Sequence, residues 1–216
     1  MNLNGNITPP SPLFALSPLD GRYAEKASSL RLIASEYGLI RLRCKVELQW
    51  LMHLCDQEAL PCTLDETERS TLAAWTEDFS PKEAERVKSL EATTNHDVKA
   101  VEYALQALLK NTLKREDLIP WLHFGCTSED INNLAYALML QEARDDVILP
   151  QQQRLHERLY EQAMRQKAQA MMARTHGQAA SPTTLGKELI NSLDRLQRAK
   201  QALHAVPITG KCNGAT

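Results

Sequence analysis

Apolar residues recur at steps of three and four along most of this chain, the spacing that lines one face of an α-helix. Between about Ser29 and Gln57 the series Leu30, Ile33, Tyr37, Ile40, Cys44, Leu48, Leu51 and Cys55 predicts one long amphipathic helix with no evident chemistry of its own. Asp65 to Phe79 predicts a shorter helix. Ser80, Pro81 and Glu83 then supply a cap, a first-turn proline and a capping-box acid for a third. Val98, Val101 and Leu105 open a further helix just after Asp97. Ile131, Leu134 and Leu138 carry the next, preceded by a turn at Gly125 and capped by Thr127 or Ser128. From about Asp145 to Arg174 the pattern stays helical, with Leu149, Leu155, Leu159 and Ala163 on one face; Pro150 either starts a new helix or kinks a continuing one. The last helix is expected to be capped by Ser181, to begin at Pro182, and to run through Leu185, Leu189, Leu193, Leu196 and Leu203 before Pro207 stops it.

Composition agrees with an all-α fold. Leu, Ala, Glu, Gln, Lys and Arg dominate, while aromatic residues make up only 5% and glycines number 8. With 216 residues the chain can form one ample domain or two small ones. A formal charge of −2 gives no footing for nucleic acid or an acidic membrane surface, and no apolar run approaches the roughly 18 residues of a membrane span. The opening residues lack a basic start and an apolar core, so 1–16 is expected to be a flexible tail and not a signal peptide. Five cysteines, odd in number and without metal-ligand spacing, point to reduced thiols in the cytoplasm and to no metal.

Four polar stretches carry candidate chemistry. RTHGQAASPTTLGKE, 174–188, sets His176 between two helical segments, with Gly177 after it to allow a tight turn. The expected helix start would put a positive dipole end and free amides near the ring, which suits an anionic ligand and makes protonating the imidazole harder. Histidine is the natural proton carrier near neutral pH, although a loop histidine bonding its own turn fits the same residues. EATTNHDVKAVEY, 91–103, packs Thr93, Thr94, Asn95, His96 and Asp97 together at a helix start, more polar groups than one cap needs. In GCTSEDINN, 125–133, the hydroxyls of Thr127 and Ser128 could form a carboxylate or phosphate cradle, and capping explains the same residues. SPLDGRY, 17–23, is a turn that presents Arg22 beside Tyr23, suited to an anion attached to a flat ring; an Arg paired with a surface acid fits equally. His123 reads as a satisfied interior histidine and Cys126 as a packed side chain.

Together, and in this order, the four stretches resemble the adenylosuccinate lyase family of the fumarase and aspartase superfamily. The wording of 91–103 separates them from fumarase, aspartase and argininosuccinate lyase. The resemblance runs from about Ser17 to the last residue. It implies an N-terminal helical domain over 17–114 and, over 115–216, the first long helices of the central lyase bundle. It also implies a cofactor-free β-elimination that releases fumarate from adenylosuccinate or the related succinylcarboxamide ribotide of purine biosynthesis, by a homotetramer. By that resemblance His176 is the general acid. Thr175, Thr127 and Ser128 meet the succinyl carboxylates, Arg22 and Tyr23 hold the nucleotide, and Asn95, His96 and Asp97 line the pocket. Ala179 departs from the family's usual proline and removes no catalytic group. The family's base, a serine on a mobile loop with a Met-Pro-Lys sequence, has no counterpart in these residues, so the chain is expected to be an inactive N-terminal portion. The alternative is a non-catalytic all-α homologue acting as an interaction module.

Overall fold

The computed structural model describes residues 15–57 and 60–215; positions 1–14 of the expected tail lie outside them. The fold is all-α apart from one two-stranded sheet. In order come α1 (Arg31–Ala34), α2 (Glu36–Cys55), α3 (Glu66–Glu77), α4 (Pro81–Thr94), α5 (Asp97–Leu108) and α6 (Ser128–Glu142). After them follow α7 (Leu149–Arg165), β1 (Ala170–Thr175), β2 (Gln178–Thr184) and α8 (Leu185–Ala205). Two compact units result, one built from residues up to Met139 together with those from Gly210 onward, the other from Leu140 to Thr209. Position 114, the expected end of the first domain, lies inside the first of these units.

In the first unit the caps follow the residues that the chain supplies. The single long helix expected from Ser29 is broken at Ser35, whose extended backbone ends α1 and whose hydroxyl accepts the Gly38 amide to start α2. At the start of α3, Asp65 and Glu68 close a reciprocal capping box. Ser80 caps α4 with Pro81 in the first turn. Leu48, Leu51, Leu72, Leu105, Leu109 and Leu118 are fully buried at the centre of the core, and Val46, Val98 and Ile131 form a smaller cluster that joins α2, α5 and α6.

The second unit corrects the sequence reading. The helix expected to run to Arg174 stops at Arg165, and the chain forms an antiparallel hairpin in which Ala170 pairs with Thr184 and Thr175 with Gln178. Ser181 and Pro182 therefore lie in β2. Thr184 is the cap of α8, accepting the Lys187 amide. Pro182 serves there as a strand residue opposite Met172, in a two-stranded sheet where each strand has a free edge for a residue without an N–H. Pro150 sits in the first turn of α7, directly after a π-helical segment at Ala143–Ile148, so the backbone stays helical where its amide is missing.

Gly186 packs the start of α8 onto the end of α7, donating its amide to the Gln166 carbonyl at 3.0 Å. A methyl group there would stand 2.4 Å from the Ala163 carbonyl oxygen and 2.7 Å from Lys167 Cα, both backbone atoms that cannot swing aside. Gly186→Ala should therefore destabilise the α7–α8 packing by about 1–3 kcal/mol, measured by urea unfolding.

Candidate functional site

The polar run 93–97 serves two helix ends at once, which accounts for its length. Asn95 ends α4 in the left-handed region at φ 51°, a conformation its short side chain tolerates. His96 is the N-cap of α5, its Nδ1 accepting the Lys99 amide at 3.2 Å. That contact gives the neutral ring its proton on Nε2. Asp97 does not orient the imidazole by a hydrogen bond, since its Oδ1 stands 3.7 Å from His96 Nδ1 and accepts the Val98 amide instead.

What holds Asp97 is a residue the periodicity had consigned to scaffold. Arg43, on α2 and only 6% exposed at its side chain, donates from Nη2 to Asp97 Oδ2 at 2.6 Å and from Nε to Asn132 Oδ1 at 2.8 Å. One guanidinium thus ties the 91–103 stretch to the first turns of α6, beside Thr127 and Ser128. Burial opposes the ionised Asp97, but the Val98 amide and then Arg43 hold its carboxyl below the usual range. A step-three-and-four pattern cannot show this, because an arginine on a buried face looks like an interruption of it. Only its neighbour in space explains it.

The α6 start is not an open cradle. The Thr127 amide and hydroxyl both donate to Asp130 Oδ2 at 3.0 Å, and Asp130 Oδ1 accepts the Gly214 amide at 2.7 Å. The chain's own carboxylate answers the helix end, and those amide bonds hold it ionised below its ordinary range. Residues after Gly210 lie along this turn, with the Lys211 amide on Asn133 Oδ1. Cys126 beside it is half-buried, and burial pushes its thiol up to about 12, an inert group.

His123 is indeed satisfied, and by an unusual partner. Its Nδ1 stands 2.6 Å from Oε1 of Glu47, a fully buried carboxylate of α2. This hydrogen bond lifts the imidazole above its usual value against the opposing effect of burial. Arg22 and Tyr23 are exposed after the Ser17–Gly21 turn, with the guanidinium 5.1 Å from the ring centroid. Among the described residues neither makes a hydrogen bond to the stretches around Asp97 or Thr127.

Thr175 and His176 belong to the second unit and are exposed. His176 and Gly177, at φ 50° and 72°, form the two-residue turn between β1 and β2, a mirror-image turn that demands a left-handed residue at both places. The expected position just ahead of a helix is therefore corrected: α8 begins only at Leu185, beyond a whole strand, and its dipole does not act on the ring. Among the described residues no cluster of three or more His, Cys, Asp or Glu could hold a metal ion, and no helix is long and apolar enough to cross a membrane.

The family model for lyases matches residues 21–216. The chain is 46% identical over 213 residues to the adenylosuccinate lyase of Haemophilus influenzae and 45% identical over 208 to that of Escherichia coli K12. Each match covers 95% of this chain and 45% of the relative, so the chain spans under half the length of these curated relatives. Among solved structures it resembles β-carboxy-cis,cis-muconate cycloisomerase from Acinetobacter calcoaceticus, with TM-score 0.65 at 20% identity over 87% of this chain and 43% of that one. A fumarate lyase from Mesorhizobium gives TM-score 0.63 at 20% identity, over 82% and 39%. At that identity the likeness is one of fold.

Two outcomes follow from the geometry. Arg43→Met leaves Asp97 and Asn132 without their shared donor and should cost about 1–3 kcal/mol in denaturant unfolding. Because the folded His123 titrates above its unfolded value, the stability its charged form contributes is full below about pH 6.5 and is lost as pH rises through the folded value. Urea midpoints should fall across that window, and the decline should flatten in Glu47→Gln.

Proposed function

Because the chain belongs to the lyase family, we propose that it is part of an adenylosuccinate lyase, which eliminates fumarate from adenylosuccinate and from the related succinylcarboxamide ribotide. The carrying observation is the 46% identity over nearly the whole chain to an enzyme of that name. β-Elimination needs a base at the carbon beside a carboxylate, stabilisation of the enolate-like charge, and an acid for the departing nitrogen.

In this reading His176 is the acid, carried on the tip of a hairpin whose turn fixes its backbone. Thr175 touches the succinyl carboxylates with Thr127 and Ser128; for Thr127 this requires exchanging its bond to Asp130 for one to substrate. Arg22 and Tyr23, already stacked, hold the nucleotide, and Asn95, His96 and Asp97 line the pocket. Residues 17–114 correspond to the N-terminal domain and 115–216 to the start of the central bundle of a cytoplasmic homotetramer. Exposed Leu155, Tyr160, Met164 and Ile190 on α7 and α8 suit such a bundle.

The 216 residues contain no Met-Pro-Lys sequence, and we assign the base serine to a segment outside them. This chain alone should therefore release no fumarate in an absorbance assay, and light scattering should find it associated rather than monomeric. Mixed with a separately produced C-terminal portion, it should recover turnover. His176→Ala should lower that turnover about 10²–10⁴-fold. Full turnover by the chain alone would overturn the assignment of the base, and a mixture that never turns over would favour a non-catalytic interaction module.

A further inference from the structure

Two charged residues on the buried side of α2, one turn apart, point at the two polar stretches of the first unit: Arg43 at Asp97 and Asn132, Glu47 at His123. Arg43 is matched through Nε and Nη2. Glu47 is matched at one oxygen only, for its side chain is 0% exposed and its second oxygen, Oε2, has no hydrogen-bond partner. A buried carboxylate with a single partner is costly to keep unless that partner carries the opposite charge.

We propose that Glu47 is a positioning residue for His123, holding the ring through Nδ1 in one orientation with Nε2 left to meet the anionic substrate. The inference rests on the lyase reading for the ligand only. Glu47 takes Nδ1–H, so Nε2 is the ring atom left to meet a ligand, a donor when the ring is protonated, and the side chain keeps 15% of its surface open. The backbone is held as firmly. His123 adopts φ 58°, a region costly for a residue with a side chain, and its carbonyl accepts the Cys126 amide at 3.1 Å, closing the turn that leads into Thr127. The other charges that act on the ring come from α5, where Glu102 adds to the effect of Glu47 and Lys99 opposes it. Lys99 and Glu102 are paired with each other at 2.6 Å, and the hydrogen bond to Glu47 is the largest influence on the ring.

The test has two arms. In this chain alone, the His123 ring is followed by heteronuclear NMR against pH in wild type, Glu47→Gln and Glu47→Asp, with circular dichroism to verify folding. Glu47→Gln should shift the His123 midpoint downward, and Glu47→Asp should recover part of the shift. A folded Glu47→Gln protein with an unmoved midpoint overturns the proposal. In the chain recombined with its C-terminal portion, Glu47→Gln should move the alkaline limb of the kcat/KM profile to lower pH and raise KM more than it lowers kcat. An active wild-type mixture whose pH profile and KM survive Glu47→Gln unchanged overturns the role at the site. If no mixture turns over, the lyase reading has failed, and the NMR arm still decides whether Glu47 sets the state of His123.

Discussion

A charge taken out of water must find its opposite or the fold that buries it fails, and α2 buries two. Arg43 and Glu47 stand one turn apart on a helix whose other inward residues include Cys44, Leu48 and Leu51, all fully buried. Their partners are not local. Asp97, Asn132 and His123 come from 54, 89 and 76 residues further along the chain. The α4–α5 junction, the turn before α6 and α6 itself must therefore dock on α2 in one register, because a slip of one helical residue would leave a guanidinium or a carboxylate stranded. Apolar packing around Val46, Val98 and Ile131 tolerates small shifts; these charge pairs do not.

Much of the first unit was legible because its signals are local. Pro81 after Ser80 reads as a helix start in any context, and the leucine spacing of α2 and α5 needs no knowledge of the partner face. Arg43 and Glu47 were illegible for the converse reason. Nothing in their own neighbourhood says that a charged side chain on an apolar face is paired across the fold. The sequence predicts a satisfied His123, and the structure shows that a carboxylate satisfies it and so alters what the ring can do.

The hairpin shows a different failure. Ala170, Met171, Met172 and Arg174 are good helix formers, so propensity extended α7 through them. The competing signal is His176 followed by Gly177, a pair suited to two successive left-handed residues, and it marks a strand reversal where the sequence predicts a loop. Pairing along β1 and β2 then overrides propensity, as tertiary context does when a turn has already brought the strands side by side. The stretch 174–188 thus carries the family's wording on a hairpin, where helix propensity predicts the end of α7.

That hairpin also bears on how the segment can change over time. Its register is interrupted between Met172 and Arg174, where Ala180 and Ser181 of β2 lie opposite the single Ala173 of β1, and the chain resumes regular pairing before the turn. Side chains in a ladder alternate between faces, so one added or lost residue between the irregularity and the turn would carry His176 to the opposite side of the ribbon. Substitutions along the exposed strands leave that placement intact. The side of the ribbon on which His176 emerges is therefore set by how many residues each strand contributes between the irregularity and the turn.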